Sequence, residues 1–412
     1  MKRKLYLLIL LFLVIACTPN KKDNGIITVD IVKNYPQKII SLDDIADISY
    51  LSPSSDSIDF LFRGRVLCVT SNNIITCDNR TGTVLFFSMN GTPKHRFNHQ
   101  GSGPQEYGHI KLAVYDEKED ELYLAIGRGG NKINVYTSVG QYKRTLSLPS
   151  GTILSELFLF DDESLLLYDS HKLQDASNQQ YDEMTNEFVT YTVNKDVYEK
   201  NFVRISRKDG GLLSYLNVPE NDAVKLVTGT HFQGQWVSQI LRTTRLLKKE
   251  QGYLVYNPET DTIYHCDKSL QLTAVMTQTP PVSSQEPMIS MNIFFDVGNY
   301  QFIEVFTVKM VIGTPRCPSI MLVRDKNAGS LYTAKVIMND YQGKEVDISP
   351  RIMNLSDEPQ VGLIEFSLME LQKALAAGKL SGKLKELVAS LDEEDSDVYA
   401  LLRFKSDTEL QK

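Results

Sequence analysis

The segment Phe86–Tyr107, FFSMNGTPKHRFNHQGSGPQEY, decides the fold of this chain. It predicts a strand, a turn at Gly91, a second strand and a loop rich in Gly and Pro. Upstream, Arg65–Thr70 (RVLCVT) and Ile74–Asp78 (IITCD) are rich in β-branched residues and flank the turn Asn72-Asn73. Such runs are typical of strands. The region therefore predicts four short strands in succession.

The same order of strands recurs downstream at a constant offset. The matched pairs are Gly91 with Gly140, Phe87 with Tyr136, Ser88 with Thr137, Val84 with Ile133, and Ile74 with Tyr123. A repeat of about 40–50 residues built from four strands is typical of a β-propeller blade. Two unrelated pairs of hairpins remain the alternative. Later copies, Asn201–Gly211, Tyr253–Asp267 and Ser330–Val346, keep the rhythm of strand and turn but lose the register.

Two segments depart from the repeat. The polar segment Gln174–Lys200 predicts a long loop or a hairpin inserted into one blade. Near the C-terminus, apolar residues at helical spacing predict a pair of helices at about residues 367–391, followed by a final strand at Val398–Phe404. We expect the two helices to cover an apolar side of the propeller.

Composition limits the function. A chain of 412 residues with 42% hydrophobic residues can bury a large core. Its net charge of -7 provides no basic surface for a phosphate backbone, so nucleic acid is not an expected partner.

The N-terminus predicts export and lipidation. A basic start is followed by the apolar run Leu5–Ile15, which is too short to span a bilayer as a helix, so residues 1–16 are interpreted as a signal peptide. The sequence Val14-Ile15-Ala16-Cys17 resembles the lipobox of bacterial lipoproteins, which implies that Cys17 carries the lipid. An ordinary secretory signal is the alternative. Residues 17–27 then form a lipidated tether, and residues 28–412 form a single propeller domain.

Several segments together resemble the six-bladed β-propeller lipoproteins of unassigned function from Gram-negative, gut-type bacteria. The similar segments are Gln100–Tyr107 (QGSGPQEY), Thr28–Ile31 (TVDI), Ile40–Ala46 (ISLDDIA), Ser49–Pro53 (SYLSP) and Ala374–Phe404. The resemblance implies an all-β propeller of six blades in the bacterial envelope, as an outer-membrane lipoprotein. Gln105 departs from the family pattern, which usually has Gly there.

The Gly/Pro loop offers candidate site residues, namely Gly101, Gly103, Pro104, Glu106 and Tyr107. Gly101 and Gly103 permit positive φ, and Pro104 restrains the chain beside Glu106 and Tyr107. The loop either presents Glu106 and Tyr107 to a ligand or connects two blades. The connector interpretation is favoured because the loop contains neither a nucleophile nor a base.

Cysteines and histidines provide two further candidates. With Asn72-Asn73 as a two-residue turn, Cys68 lies opposite Cys77, a pair that can form a disulfide in an oxidising compartment. The alternative is two buried thiols. The histidines His95, His99 and His109 lie close in sequence, but their spacing lacks a completing carboxylate other than Glu106. No metal site and no cofactor is expected.

Two functions remain open from the sequence, besides the plainer possibility that the propeller is one subunit of a larger envelope assembly with no small ligand. The first is an anchored binding or scaffolding module for a glycan, a peptide or an envelope protein. The second is a propeller-type hydrolase or lyase with a carboxylate or metal site in the central channel, which fold analogy alone cannot assign. Converging carboxylates or histidines in the channel would favour the enzyme.

Overall fold

β-strands form nearly all the regular structure in the computed structural model. It describes residues 25–53, 60, 64–78, 80–127, 129–172, 179–182, 187–190, 196–221, 224, 227–232, 235–240, 243–309, 311, 317–356, 358–393 and 395–405. Within these ranges the strands pair into six sheets of three or more strands and two separate hairpins. The predicted all-β class is correct.

The N-terminal segment contributes one strand to each of three different sheets. Its elements are β1 (Ile27–Asp30), β2 (Gln37–Ser41), a short helix Leu42–Ile45, and β3 (Ala46–Leu51). Since none of these strands pairs with another, the segment depends on partners far along the chain.

Blades 1 and 2 are four-stranded antiparallel sheets in which consecutive strands are neighbours. Blade 1 contains β4 (Gly64–Val69), β5 (Asn73–Asp78), β6 (Val84–Ser88) and β7 (Pro93–Phe97); blade 2 contains β8 (Ile110–Asp116), β9 (Glu121–Ile126), β10 (Lys132–Tyr136) and β11 (Tyr142–Ser147). Gly91 and Gly140 occupy equivalent turns with the same φ of 85°. The repeat seen in the sequence therefore relates two blades.

Blade 3 carries an insertion. Its strands are β12 (Leu154–Leu159), β13 (Ser164–Asp169), β16 (Phe202–Ser206) and β17 (Leu212–Tyr215). Between β13 and β16 the hairpin β14 (Gln179–Asp182) and β15 (Glu187–Thr190) is inserted, as one of the two sequence interpretations has it. A second hairpin, β18 (Val227–Phe232) and β19 (Gln235–Ile240), precedes blade 4.

Blades 4 and 5 are each extended by a parallel strand from the N-terminal segment. Blade 4 contains β20 (Leu246–Lys249), β21 (Gly252–Tyr256), β22 (Thr262–Cys266) and β23 (Leu272–Thr279), and β1 pairs with β23. A 3-10 helix, Val282–Ser284, follows. Blade 5 contains β24 (Ile289–Met291), β25 (Phe295–Val297), β26 (Tyr300–Thr307), β27 (Ser319–Asp325), β28 (Ser330–Met338) and β29 (Tyr341–Glu345), and β2 pairs with β28.

A three-stranded sheet, called the closing sheet here, joins the two ends of the chain. After a 3-10 helix, Pro350–Met353, it consists of β30 (Val361–Phe366), β31 (Val398–Phe404) and β3. The helices Leu368–Ala376 and Gly382–Ala389 lie between β30 and β31, so the predicted helical pair and final strand are present. Both helices contribute apolar side chains to the core, as expected.

Apolar clusters join neighbouring sheets face to face. Separate clusters lie between blades 1 and 2, blades 2 and 3, and blades 3 and 4. The closing sheet packs on blade 1 through Leu51, Leu363 and Leu401, and it shares one large cluster with blades 4 and 5. Sheets that pack in sequence around a ring form a β-propeller. Five of the sheets have the four or more strands of a full blade.

Candidate functional site

A cavity of about 290 Å³ lies at the end of the inner strands of blades 2, 3 and 4. The strand β8 contacts both β4 and β12, which places these strands on the inner side of the ring. The cavity is lined by Asp116, Leu159, Phe160, Asp161, Asp162, Arg207, Lys248, Lys249, Glu250, Gly252, Tyr253 and Lys268. Because three blades contribute, residues far apart in sequence share one wall.

Arg207 holds the part of the cavity between blades 2 and 3. It follows β16, and its guanidinium donates from Nη2 to Asp116 Oδ2 at 2.6 Å and from Nε to the Tyr123 hydroxyl at 2.8 Å. Burial alone would lower the pKa of Arg207, but the hydrogen bonds to Tyr123 and Asp116 outweigh burial and raise it. Arg207 is therefore a fixed cation that positions the wall.

A second arginine extends this network. Arg144 donates to both carboxylate oxygens of Glu121, at 2.6 and 2.7 Å. Burial alone would raise the pKa of Glu121, but hydrogen bonds from Arg144, Lys143 and Tyr123 lower it well below its usual range. Bidentate pairs of this kind fix orientation as well as charge. The carboxylate is therefore not placed to transfer a proton near neutral pH.

An aromatic pair forms the wall between blades 3 and 4. Phe160 stacks on Tyr253 with ring centroids 5.9 Å apart and planes 18° apart, and the Arg204 guanidinium lies 5.3 Å from the Phe160 centroid. The Tyr253 hydroxyl donates to Leu159 O. These contacts hold Phe160 in place, so this wall is rigid.

Both lysines and carboxylates line the cavity. Lys249 forms an ion pair with Asp296 at 3.3 Å, and Asp162 pairs with Lys118 at the same distance. Within the described chain, Lys268 and Glu250 are exposed and form no ion pair. The opening thus offers both a donor and an acceptor to an incoming ligand, because an ammonium group only donates and a carboxylate only accepts.

A second buried polar cluster lies between blades 3 and 4, outside the cavity. The carboxylate of Glu156 on β12 accepts from the backbone N–H groups of Arg245 and Leu246 at 2.7 and 2.8 Å. Burial raises the pKa of Glu156 to about 7, against these donors, which lower it. Arg245 is itself buried, lies over the Tyr168 ring at 5.1 Å and contacts Glu259 at 3.3 Å. The cluster ties two blades together.

A buried carboxylate and histidine lie at the start of the blade 3 insertion. His171 Nδ1 is 2.8 Å from Asp169 Oδ2, while Asp169 Oδ1 accepts from the backbone N–H groups of Ile153 and His171. The Asn201 side chain also donates to Asp169 O at 2.7 Å. These contacts close the turn from which the insertion leaves, so the pair braces the backbone.

The predicted Gly/Pro loop lies between blades 1 and 2 and lines no part of the cavity. Tyr107 is buried, and its hydroxyl donates to Gly82 O at 3.0 Å. The carboxylate of Glu106 accepts from the backbone N–H of Gly103 at 2.7 Å, and a Cβ at Gly101 would collide with that carboxylate. This geometry is that of a connector. Lys132 donates to Pro104 O from blade 2.

The cysteine register differs from the one expected. The two-residue turn is Ser71-Asn72 and not Asn72-Asn73, because the backbone N–H of Thr70 donates to Asn73 O, and this register places Cys68 opposite Ile75. A bulge between Val66 and Cys68 then shifts β4 by one further residue, so that Cys77 lies opposite Arg65. Neither cysteine belongs to a disulfide in the structure, and burial raises the pKa of the Cys77 thiol to about 11. The proposed disulfide therefore loses the cross-strand pairing on which it rested.

The three neighbouring histidines have separate environments. His99 stacks on Tyr136 with planes 10° apart, and its Nε2 lies 2.7 Å from Gly140 O. His95 meets the edge of Phe86, whereas the carbonyl of His109 accepts from Gly127 N. Among the described residues, no group of three or more His, Cys, Asp or Glu side chains is arranged to hold a metal ion.

The N-terminal predictions lie outside the described residues. The signal peptide 1–16, Cys17 and the first part of the tether are not among them. In the residues that the structure does describe, we find no helix with both the length and the apolar character needed to cross a bilayer.

The sequence analysis missed the residues that line the cavity. One signal was present for Arg207, because it continues the alternation of Val203 and Ile205, whose side chains are buried between blades 2 and 3. An arginine on the buried face of a strand requires a buried acid. Its partner Asp116 could not be identified, since a different blade supplies it.

A family model described as "Domain of unknown function (DUF4934)" matches residues 59–403. No curated protein sequence matches the chain. Among solved structures, the chain is similar to a protein of Bacteroides fragilis described as exported, with 18% identity, a TM-score of 0.56, and coverage of 89% of this chain and 100% of that chain.

A second similar structure is a virginiamycin B lyase of Staphylococcus aureus. It has 10% identity, a TM-score of 0.34, and coverage of 69% of this chain and 84% of that chain. Of these two, the Bacteroides fragilis protein supports the propeller fold, and because the identity is only 18% it supports nothing beyond the fold.

Proposed function

Because the chain belongs to the DUF4934 family, which is defined by a domain of unknown function, we propose its function from the cavity itself: a binding module for a glycan. The carrying observation is the lining, which contains both lysines and carboxylates beside the stacked rings of Phe160 and Tyr253. Sugar hydroxyls both donate and accept hydrogen bonds, so a lining of both kinds suits them. A peptide or an envelope protein is the alternative ligand.

The arrangement favours binding over hydrolysis or elimination. Asp116 and Asp161 are engaged by Arg207 and Arg204, each at an N···O distance of 2.6–2.7 Å. A general acid or base needs a pKa near the working pH, and the hydrogen bonds and the Arg204 charge that lower the pKa of Asp161, despite burial, act in the opposite direction. These carboxylates therefore build the wall.

The proposal includes six blades and a lipid anchor. The closing sheet is the sixth blade, since it packs on both blade 1 and the cluster of blades 4 and 5. Lipidation at Cys17 places the propeller in the bacterial envelope as an outer-membrane lipoprotein. The lipobox-like sequence and the likeness to an exported protein support this location.

A glycan array tests the binding function. We expect the protein to bind a subset of glycans, and Lys268→Ala combined with Glu250→Gln to lower the affinity at least about tenfold, which corresponds to ~1.4 kcal/mol. Lys385→Ala combined with Glu386→Gln is the matched control, because both residues are exposed on the helix Gly382–Ala389 and lie outside the lining, and this variant should bind as the wild type does. Binding to peptides alone, or equal binding by the double variant, would overturn the proposal.

Fractionation tests the anchor. The wild-type protein should partition with membranes, and Cys17→Ser should release it into the soluble fraction. Partition of Cys17→Ser with membranes to the same extent as wild type would contradict lipidation.

A further inference from the structure

Four exposed aliphatic side chains follow the outermost strands of blades 3, 4 and 5. Leu212 and Leu213 on β17 are each 48% exposed, Val32, which follows β1, is 48% exposed, and Ile39 on β2 is 61% exposed. We call these four residues the rim stripe. Single exposed apolar residues are ordinary, but here four of them lie at the outer edges of three successive blades, on or beside strands that the N-terminal segment adds or approaches.

The strand β17 differs from the other outer strands. It reads Leu-Leu-Ser-Tyr, without charge or proline, and no strand in the described part of the chain pairs with its outer side. By contrast, β7 begins with Pro93 and Lys94, and β23 and β28 are covered by β1 and β2. Charges, proline and covering strands are the usual protection of sheet edges. β17 lacks all three.

The N-terminal chain leads toward this edge. β1 pairs in parallel with the second half of β23, with Ile27 opposite Met276, so the chain runs backward from Ile27 in the direction of Leu272. Leu272 packs in the same apolar cluster as Leu216, which directly follows β17. The chain thus enters the structure from the side on which blade 3 presents β17.

Chain length limits how far the anchor can be from this side. Cys17 precedes Gly25 by eight residues, and an extended chain spans at most ~3.3–3.6 Å per residue, or about 28 Å in total. Lys21 and Lys22 lie within this stretch. A lipid on Cys17 therefore keeps the bilayer surface within about 28 Å of Gly25.

We propose that the rim stripe docks on the membrane surface to which Cys17 is anchored, an inference that rests on the proposed lipidation. The exposed Lys208, in the turn before β17, and Lys21 and Lys22, which follow Cys17 in the sequence, would meet anionic head groups. The outward backbone groups of β17 need hydrogen bonds, which the hydrocarbon region does not supply. The stripe therefore rests at the depth of the head groups, and the propeller lies with its side on the membrane.

Fluorescence quenching by brominated phospholipids tests this orientation. The full-length protein is reconstituted in vesicles of phosphatidylethanolamine and phosphatidylglycerol, with Trp236→Phe removing the single native tryptophan. In this background, Leu213→Trp and Ile39→Trp report on the stripe. Met369→Trp is the control, since this residue is 60% exposed but lies on the helix Leu368–Ala376.

The expected result is an emission loss of about twofold or more for Leu213→Trp and Ile39→Trp, with no change for Met369→Trp. Flotation of the same samples separates the two proposals. Protein that floats with vesicles while Leu213→Trp is not quenched overturns the docking and leaves the anchor intact. Protein that fails to float overturns the anchor, and the docking fails with it. Equal quenching at all three positions contradicts a defined orientation.

Discussion

The joints between blades 1, 2 and 3 differ from those that unite blade 4, blade 5 and the closing sheet. The first group has a separate small cluster at each joint, reinforced between blades 2 and 3 by the Arg207 network. The second group shares one large apolar core that also includes the N-terminal segment and both C-terminal helices. The first half is thus assembled locally, while the second half needs both ends of the chain.

The two groups of joints also differ in how far apart in sequence their contacting residues lie. In blades 1 and 2 each strand pairs with its neighbour in sequence, so the loop closed by each contact is short. In the shared core, Val29 and Ala400 belong to one cluster although most of the chain separates them. Long-range contacts of this kind form late and strengthen one another.

Removing Arg207 should have the largest effect, because it breaks the charged joint between blades 2 and 3. Arg207→Ala leaves Asp116 and Glu121 without their shared cation, and we expect a loss of about 3–5 kcal/mol in the free energy of unfolding. Urea titration followed by circular dichroism measures it. Lys118→Ala removes an exposed ion pair and should leave the curve unchanged; a similar loss there would refute the distinction.

Truncation of the Leu42 side chain tests the contribution of the N-terminal segment to the shared core. Leu42 is fully buried in the shared core, and Leu42→Ala should lower the free energy of unfolding by about 3 kcal/mol through lost burial and a cavity. Ile39→Ala, on the exposed side of the same segment, should change it by less than about 0.5 kcal/mol. A loss for Leu42→Ala that is as small as the loss for Ile39→Ala would mean that the N-terminal segment adds nothing to the core.

The two equivalent glycine turns provide a comparison within the repeat. Gly91 and Gly140 share a φ of 85°, so alanine at either position incurs a backbone strain of about 1 kcal/mol. A Cβ at Gly140 would also lie 2.5 Å from Phe97 Cβ, whereas at Gly91 its nearest neighbour is 3.6 Å away. We expect Gly140→Ala to cost about 2 kcal/mol. Thermal melting that ranks Gly91→Ala as the worse variant would contradict this geometry.

At low pH, the charged contacts between blades 2 and 3 should weaken before the shared apolar core of blades 4, 5 and the closing sheet does. The pKa of Glu121 is depressed below its ordinary value of 4.5, so its stabilising contribution is present above pH 4.5 and is lost as the pH falls further. We expect the free energy of unfolding to fall by about 1 kcal/mol as the pH drops below 4.5. Hydrogen exchange should rise in β8 and β9 before it rises in β31. Glu121→Gln should reduce this pH dependence; an unchanged profile would exclude Glu121 as its source.

The part of the fold that the sequence reveals is the part built from local contacts. The turns at Gly91 and Gly140 and the final strand Val398–Phe404 follow from neighbouring residues, and the structure has them. The parallel pairing of β1 and β2 could not be inferred, because a strand pattern does not identify its partner. The register of Cys68 differs from the expected one because the turn is Ser71-Asn72, and the polar run Ser71–Asn73 does not by itself decide which two residues form the turn.

The candidate site was beyond sequence reasoning for a similar reason. Its lining comes from three blades, and the charged lining residues look individually like ordinary polar turn residues, as Asp161 and Lys268 do. The Gly/Pro loop attracted attention because glycine, proline and tyrosine are conspicuous, but their arrangement serves the joint between blades 1 and 2. The glycine, proline and tyrosine residues of the loop constrain the backbone between blades 1 and 2. The cavity, in contrast, forms only when three blades come together in the ring.

The parallel pairing of β1 also determines how the molecule responds to mechanical force. A pull on the chain at Gly25 acts along the axis of β1, so the four residues Ile27–Asp30 resist it together in shear. Behind them, β2 holds five more paired residues in the same parallel orientation. A strand loaded in shear must break its hydrogen bonds together, whereas a strand peeled from an edge breaks them one at a time. Tension directed along β1 from the amino-terminal end therefore loads the outer strands of blades 4 and 5 first, together with the core side chains Val29 and Ile40 that those strands carry.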